Sequence, residues 1–100
     1  MTPLVYLPSF RGDLEEIWLH IAADNMVAAD HLIDDLSVRC LVLCEHPYVG
    51  LNRPDIAPDC RQLVFDGYVV LYRIRASRVE LVRALHGRRK ITKNLFNTDD

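Results

Sequence analysis

Apolar and polar positions follow two different periods along the chain, and each period predicts an element. Leu4-Val5-Tyr6-Leu7, between Pro3 and Pro8, reads as a short strand at a sheet edge, where proline is tolerated. Leu14, Ile17, Trp18 and Ile21 then recur at i, i+3, i+4 and i+7, the apolar stripe of a helix. Asp13 and Glu16 have the N-cap and N3 spacing of a capping box, so this helix is predicted to start at Asp13. Asp24-Asn25 breaks it and caps a second helix over about Met26 to Cys44, with Ala28, Leu32, Leu36, Cys40 and Leu43 as its stripe. So short a break implies an antiparallel helical hairpin.

The segment Cys40-Leu41-Val42-Leu43-Cys44 is apolar all round, whereas a surface helix shows one apolar face. Either the sheet and a loop bury it, or something outside the chain covers it. Pro47 disfavours helix at His46, and a proline-rich loop runs from Glu45 to Asp59.

Strands close the chain. Leu63-Val64-Phe65 and Tyr68 to Tyr72 flank Asp66-Gly67, a two-residue hairpin signal that places Phe65 opposite Tyr68, Leu63 opposite Val70 and Arg61 opposite Tyr72. A weaker turn at Ala76-Ser77 returns the chain through Val79 to Leu85. If that turn also has two residues, Arg73 faces Glu80 as an ion pair, but Arg83 then falls on the core face, which calls for a slip or bulge. His86 to Lys93 is basic, and the chain from Asn94 is expected to fray apart from Leu95 and Phe96. The expected fold is α+β, in the order β-α-α-β-β-β: an N-terminal strand, a helical hairpin, then a three-stranded antiparallel sheet, in two layers.

Composition sets bounds on this picture. At 100 residues, 50% apolar and 26% charged, the chain is a single globular domain. No apolar run approaches the ~20 residues needed to cross a bilayer, and the N-terminal residues lack the pattern of a signal peptide. The three cysteines, Cys40, Cys44 and Cys60, form no CxxC. Free thiols in a reducing cytoplasm are therefore expected, with neither a disulfide framework nor a zinc site. The net charge of −2 conceals a gradient. Residues 1–37 hold seven acids against Arg11, whereas residues 67–100 hold eight basic residues against three acids. An acidic face and a basic face follow, one of which could meet a charged partner.

GxSxG, HExxH and a phosphate-cradling glycine loop are all absent, and no cofactor or metal is expected. His20 and His31 fall on the helical hairpin as surface or rim residues, and His46 is a loop residue. His86 ends the last strand and precedes Gly87-Arg88-Arg89-Lys90, a setting in which it could bind phosphate or serve as an acid or base. Arg53, Arg61 and Arg73 would form an anion site only if the fold brought them together. Each also has a structural reading: loop contacts for Arg53, stacking on the Tyr72 ring for Arg61, pairing with Glu80 for Arg73.

Asp13-Leu14-Glu15-Glu16-Ile17-Trp18 through Ile21-Ala22, the loop Arg53-Pro54-Asp55-Ile56, Arg61, Gly67-Tyr68, Leu71-Tyr72-Arg73 and Leu85-His86-Gly87-Arg88-Arg89 together resemble the RelE/ParE toxins of bacterial type II toxin–antitoxin pairs, over about residues 4 to 90. The Arg-Pro-Asp-Ile loop and the closing His-Gly-Arg-Arg are nearer the ParE branch. The resemblance implies the fold derived above and a small ParD-like antitoxin whose C-terminal segment wraps the toxin, with Trp18, Leu36, Cys40, Leu41, Val42 and Leu43 as its contacts. It implies DNA gyrase as target, met by Arg53, Arg61, Arg73, His86, Arg88, Arg89 and Lys90, with no catalytic residue. The alternative is the RelE branch, which cleaves messenger RNA on the ribosome. Arg61 and Arg53 would then hold the phosphate and His86 would act as general acid or base. The lysines of that branch's loop are missing here, and a negative net charge suits ribosomal RNA poorly. A toxin that keeps its antitoxin and has lost its target is a third reading.

Overall fold

The computed structural model describes residues 1–97. Strand β1 (Leu4–Tyr6) leads into helix α1 (Pro8–Ala22), which is followed by α2 (Met26–Cys40) and the single turn α3 (Val42–Glu45). Strands β2 (Leu51–Asn52), β3 (Arg61–Phe65), β4 (Tyr68–Arg75) and β5 (Arg78–His86) come next, then the short helix α4 (Lys93–Phe96). Among the described residues no helix is long and apolar enough to cross a membrane.

The three predicted antiparallel strands form the centre of a larger, mixed sheet of five, in the order β1-β5-β4-β3-β2. β1 is an edge strand, as the flanking prolines require, and it runs parallel to β5. No turn joins these two strands, so local sequence carries no sign of their pairing. β2 arises inside the predicted loop, where two residues pair with β3. The Asp66-Gly67 turn sets the expected register, with Arg61 opposite Tyr72, Leu63 opposite Val70 and Phe65 opposite Tyr68.

The second hairpin turns at Ala76-Ser77, both held at positive φ (52° and 62°) without help from glycine. Arg73 faces Glu80, and the expected irregularity is present: Leu71 pairs with Arg83 but Tyr72 pairs with Leu81, leaving Val82 as a bulge. The extra residue sets Arg83 opposite Leu71 instead of Val70 and so takes it off the helix-facing core.

Both sheet faces are covered, which replaces the expected two layers. Phe10, Leu36, Cys40 and Leu43 from the helices pack on Leu63, Val70, Tyr72 and Leu81. On the other face Ile56 and Cys60 of the loop, together with Phe96 of α4, cover Val69, Leu71, Val82 and Leu85. Phe96 docks on this face as expected, while Asn94, where fraying was expected, lies within α4; the rest of that stretch, from residue 98, lies outside the described residues.

Helix boundaries differ from prediction for identifiable reasons. Asn25 caps α2 as expected, its side chain accepting from the Ala28 amide at 3.0 Å. α2 stops at Cys40, and α3 is a separate turn. Ala29, rather than Ala28, faces the core. α1 starts at Pro8, a favoured first-turn residue, with Leu7 as its N-cap. Asp13 is therefore no cap but a buried residue in mid-helix.

The position of Asp13 follows from the sheet edge. β1 covers only residues 79–81 of β5, and the following residues of β5 present unpaired backbone groups on that side. The first turns of α1 satisfy them. The Leu7 amide donates to the Leu81 carbonyl at 3.1 Å and the Ser9 hydroxyl to the Val82 carbonyl at 2.7 Å. The Asp13 carboxylate accepts from the Ala84 amide at 2.9 Å. Asp13 also takes a two-point contact from Arg83, at 2.7 and 2.9 Å, and the remaining guanidinium nitrogen of Arg83 donates to the Leu95 carbonyl at 3.0 Å. The hydrogen bond with Asp13 holds Arg83 above its ordinary pKa, against its partial burial.

Asn serves as well as Asp at an N-cap, so Asp13→Asn separates the two roles. A cap would leave stability nearly unchanged. Loss of the half-buried pair should instead cost about 3 kcal/mol by urea denaturation, because Arg83 is left without its countercharge.

Candidate functional site

The far end of β5 gathers cations without answering them. Gly87 must be glycine, because its amide donates to the Gly67 carbonyl at 2.7 Å and a Cβ there would lie 2.9 Å from the same oxygen. This contact ties the end of β5 to the β3–β4 turn. The Arg89 amide then donates to the His86 carbonyl at 2.9 Å, closing a tight turn. The Arg88 amide donates to His86 Nδ1 at 3.1 Å, so in the neutral ring the proton sits on Nε2. Tyr68 braces the imidazole edge-to-face, with ring centroids 5.5 Å apart. From this base Arg88, Arg89 and Lys90 project into solvent, and none forms an ion pair among the described residues.

Beside this turn lies a cleft of about 280 Å³ between α1 and the β4–β5 end of the sheet. Glu16 and His20 line it from α1, Tyr68 and His86 from the strands, and Arg89 from the turn. His20 is exposed at the rim of the cleft, as expected, whereas Tyr68, expected only as the partner of Phe65 across the hairpin, also lines it. The available signal was the spacing of Asp13, Glu16 and His20, which puts a polar stripe on one face of the helix.

The other three basic candidates sit elsewhere, each with an intramolecular task. Arg73 is buried, its Nε 2.8 Å from Glu80, and its guanidinium lies 5.8 Å from the centre of the Phe96 ring. It cannot meet a target. Arg61 donates to the carbonyls of Tyr48 and Gly50 at 3.0 and 2.8 Å and covers the Tyr48 ring at 5.0 Å, not the Tyr72 ring as expected. Tyr72 instead donates its hydroxyl to the Pro47 carbonyl at 2.8 Å and accepts from the Gly50 amide at 2.9 Å. Arg61 and Tyr72 thus pin the loop that carries Tyr48. Arg53 makes two contacts with Asp55, at 3.0 and 2.9 Å, and a third with Gln62. The bond to Asp55 raises the Arg53 pKa and lowers that of Asp55.

Arg53, Arg61 and His86 therefore do not converge. Gln62, which holds Arg53, and Arg61 are adjacent residues of β3 and point to opposite faces. His86 is level with Tyr68, four residues along β4 from the Tyr72 that faces Arg61, or roughly 13 Å. The phosphate clamp and acid–base group imagined for RNA cleavage are not assembled from these three side chains.

The apolar turn at Cys40 to Cys44 also changes meaning. Leu36, Cys40 and Leu43 are no more than 1% exposed and belong to the helix-side core, so they are sealed within the chain. Of the residues expected to meet an antitoxin, Leu41 is 54% exposed and Val42 is half-buried. Trp18 is half-buried and donates its indole N–H to Asp30 at 2.7 Å. Besides Leu41, the exposed large apolar side chains of the hairpin are Leu19, Met26, Val27 and Val38. All three cysteines are free and buried, and burial pushes the thiols of Cys40 and Cys60 up to about 11, which keeps them out of nucleophilic chemistry near neutral pH. Among the described residues no three His, Cys, Asp or Glu side chains are grouped to hold a metal.

The sequence profile of the family described as "ParE toxin of type II toxin-antitoxin system, parDE" matches residues 4–91. A solved structure described as the "Chromosomal ParDE TA system from P. aeruginosa" superposes with a TM-score of 0.75 at 19% identity, covering 86% of this chain and 96% of that one. At that identity the likeness is one of fold. No curated protein matches the sequence.

The buried pair has a pH signature. Burial pushes the Glu80 carboxyl up, but the hydrogen bonds from Arg73 and Arg78 outweigh it and leave the pKa below its ordinary value. A carboxyl depressed by folding adds stability that is complete above its unfolded pKa of about 4.3 and is lost as pH falls through the lower folded value. Urea midpoints measured across that range should fall less steeply for Glu80→Gln than for the natural chain.

Proposed function

The chain belongs to the ParE toxin family of type II toxin–antitoxin systems, and from that premise we propose that it arrests growth by inhibiting DNA gyrase through the surface formed by His86, Arg88, Arg89 and Lys90. The observation that supports this reading is the contrast among its cations. Arg53, Arg73 and Arg83 are each bonded to a carboxylate of the same chain. Arg88, Arg89 and Lys90 stand exposed at the end of a braced strand without such partners among the described residues. Unpaired guanidinium groups on a fixed turn favour fast encounter with an acidic surface of a partner, and no intramolecular ion pair has to break before they dock. The cleft holding His20, Tyr68 and His86 adds hydrogen-bonding and aromatic surface beside them. An antitoxin neutralises the toxin by covering the helical hairpin, where Val27, Val38 and Leu41 are exposed. The protein acts in the cytoplasm, where its buried free thiols persist.

A supercoiling assay with purified gyrase tests the reading, alongside growth after induction of the chain alone. Inhibition at micromolar chain and growth arrest are expected, and gyrase left fully active at that concentration overturns the proposal. Arg88→Ala combined with Arg89→Ala should raise the half-inhibitory concentration at least about tenfold. Stability should change by no more than about 0.5 kcal/mol, as for other surface substitutions.

A further inference from the structure

The helical hairpin carries carboxylates that form no ion pair among the described residues. They are those of Glu15, Glu16, Asp24, Asp30, Asp34 and Asp35, all exposed. Along α2 and its C-cap, three exposed apolar side chains share one strip of surface with one of these acids and are flanked by others. On a helix advancing about 100° per residue, Val27, Asp34, Val38 and Leu41 fall within roughly 60° of one another, opposite the buried Leu36. Val27 is 64% exposed, Val38 65% and Leu41 54%. Asp30, His31 and Asp35 flank the strip, and Trp18 of α1 holds Asp30 in place on its border. From Val27 to Leu41 the strip is about 21 Å long, some four helical turns.

Taking the chain as a toxin masked by a partner, we propose that the partner segment covering α2 is a cationic amphipathic helix. Its apolar residues lie on Val27, Val38 and Leu41, and its lysines or arginines face Asp30, Asp34 and Asp35. Charge complementarity selects this occupant. An acidic segment, or the hairpin of a second copy, would set carboxylates against carboxylates. The basic turn of a second copy has the right sign but no apolar stripe long enough to cover the strip. The masking segment is then attracted by the acidic hairpin and kept away from the basic turn that meets the target, so one charge gradient sorts two partners to two surfaces.

Two 18-residue helical peptides sharing one leucine stripe, flanked by lysine and arginine in one and by glutamate in the other, are titrated calorimetrically against the full chain. The cationic peptide should bind, weakening about tenfold between about 50 mM and 300 mM NaCl as the exposed charges are screened. The glutamate peptide should bind at least tenfold more weakly. Asp34→Asn with Asp35→Asn should weaken the cationic peptide about fivefold with an unchanged circular dichroism spectrum, and Val38→Ala should weaken it independently. Equal binding of the two peptides, binding indifferent to salt, or no binding of the cationic peptide overturns the proposal. A chain that arrests growth and inhibits gyrase yet ignores the cationic peptide keeps the toxin reading and loses this one.

Discussion

One carboxylate joins the two halves of this molecule. Asp13 reaches from mid-helix to the unpaired edge of β5, takes the Ala84 amide, and holds Arg83, whose remaining nitrogen bonds the Leu95 carbonyl. The helix-side layer, the sheet and the short terminal helix on the opposite face therefore share one hydrogen-bonded centre. The bulge at Val82 makes this possible by moving Arg83 off the helix-facing core. Without that extra residue a guanidinium would sit among Leu63, Val70 and Leu81, where its desolvation would go uncompensated.

The same centre organises the candidate site. Ala84 lies two residues before His86, so fixing α1 against β5 at this point fixes the walls of the cleft from which Arg88 and Arg89 emerge. The Gly87–Gly67 contact closes the other side by linking two turns that are distant in sequence. Cations elsewhere are spent on the fold: Arg61 on the Tyr48 loop, Arg53 on Asp55, Arg73 on Glu80. Counting basic residues in the sequence overstates the surface available to a target, because hydrogen-bonded geometry removes three of the seven candidates from it.

Local signals were legible and non-local ones were not. Asp66-Gly67 gave the hairpin and its register, Asn25 gave the start of the second helix, and the conflict at Arg83 called for the bulge that is present. Each of these depends on residues a few positions apart. The parallel pairing of β1 with β5 joins residues more than seventy positions apart and depends on packing that no nearby turn announces. Asp13 misled for a related reason. A capping-box spacing is satisfied by two side chains in one turn, whereas the partner that holds Asp13 lies seventy residues downstream. At the site, the basic run after His86 was readable as charge. The cleft beside it was not, because its walls come from α1 and from two strands.

The apolar turn at Cys40 to Cys44 carries the same lesson into recognition. Hydrophobicity on every side of a helical turn is consistent with a partner outside the chain and equally with a sheet on one side and a loop on the other. Here the chain itself buries Cys40, Leu43 and Cys44 and leaves Leu41 exposed. Surface that remains for a partner is apolar only in patches, with Val27 and Val38 set among carboxylates. Mixed surfaces of this kind suit a protein that has to persist both free and bound. A continuous greasy face would bind tightly but would also promote self-association of the free chain, whereas like charges around each apolar patch oppose that contact and leave a complementary helix free to dock. Self-association and docking would thus both be governed by the acids that form no ion pair among the described residues.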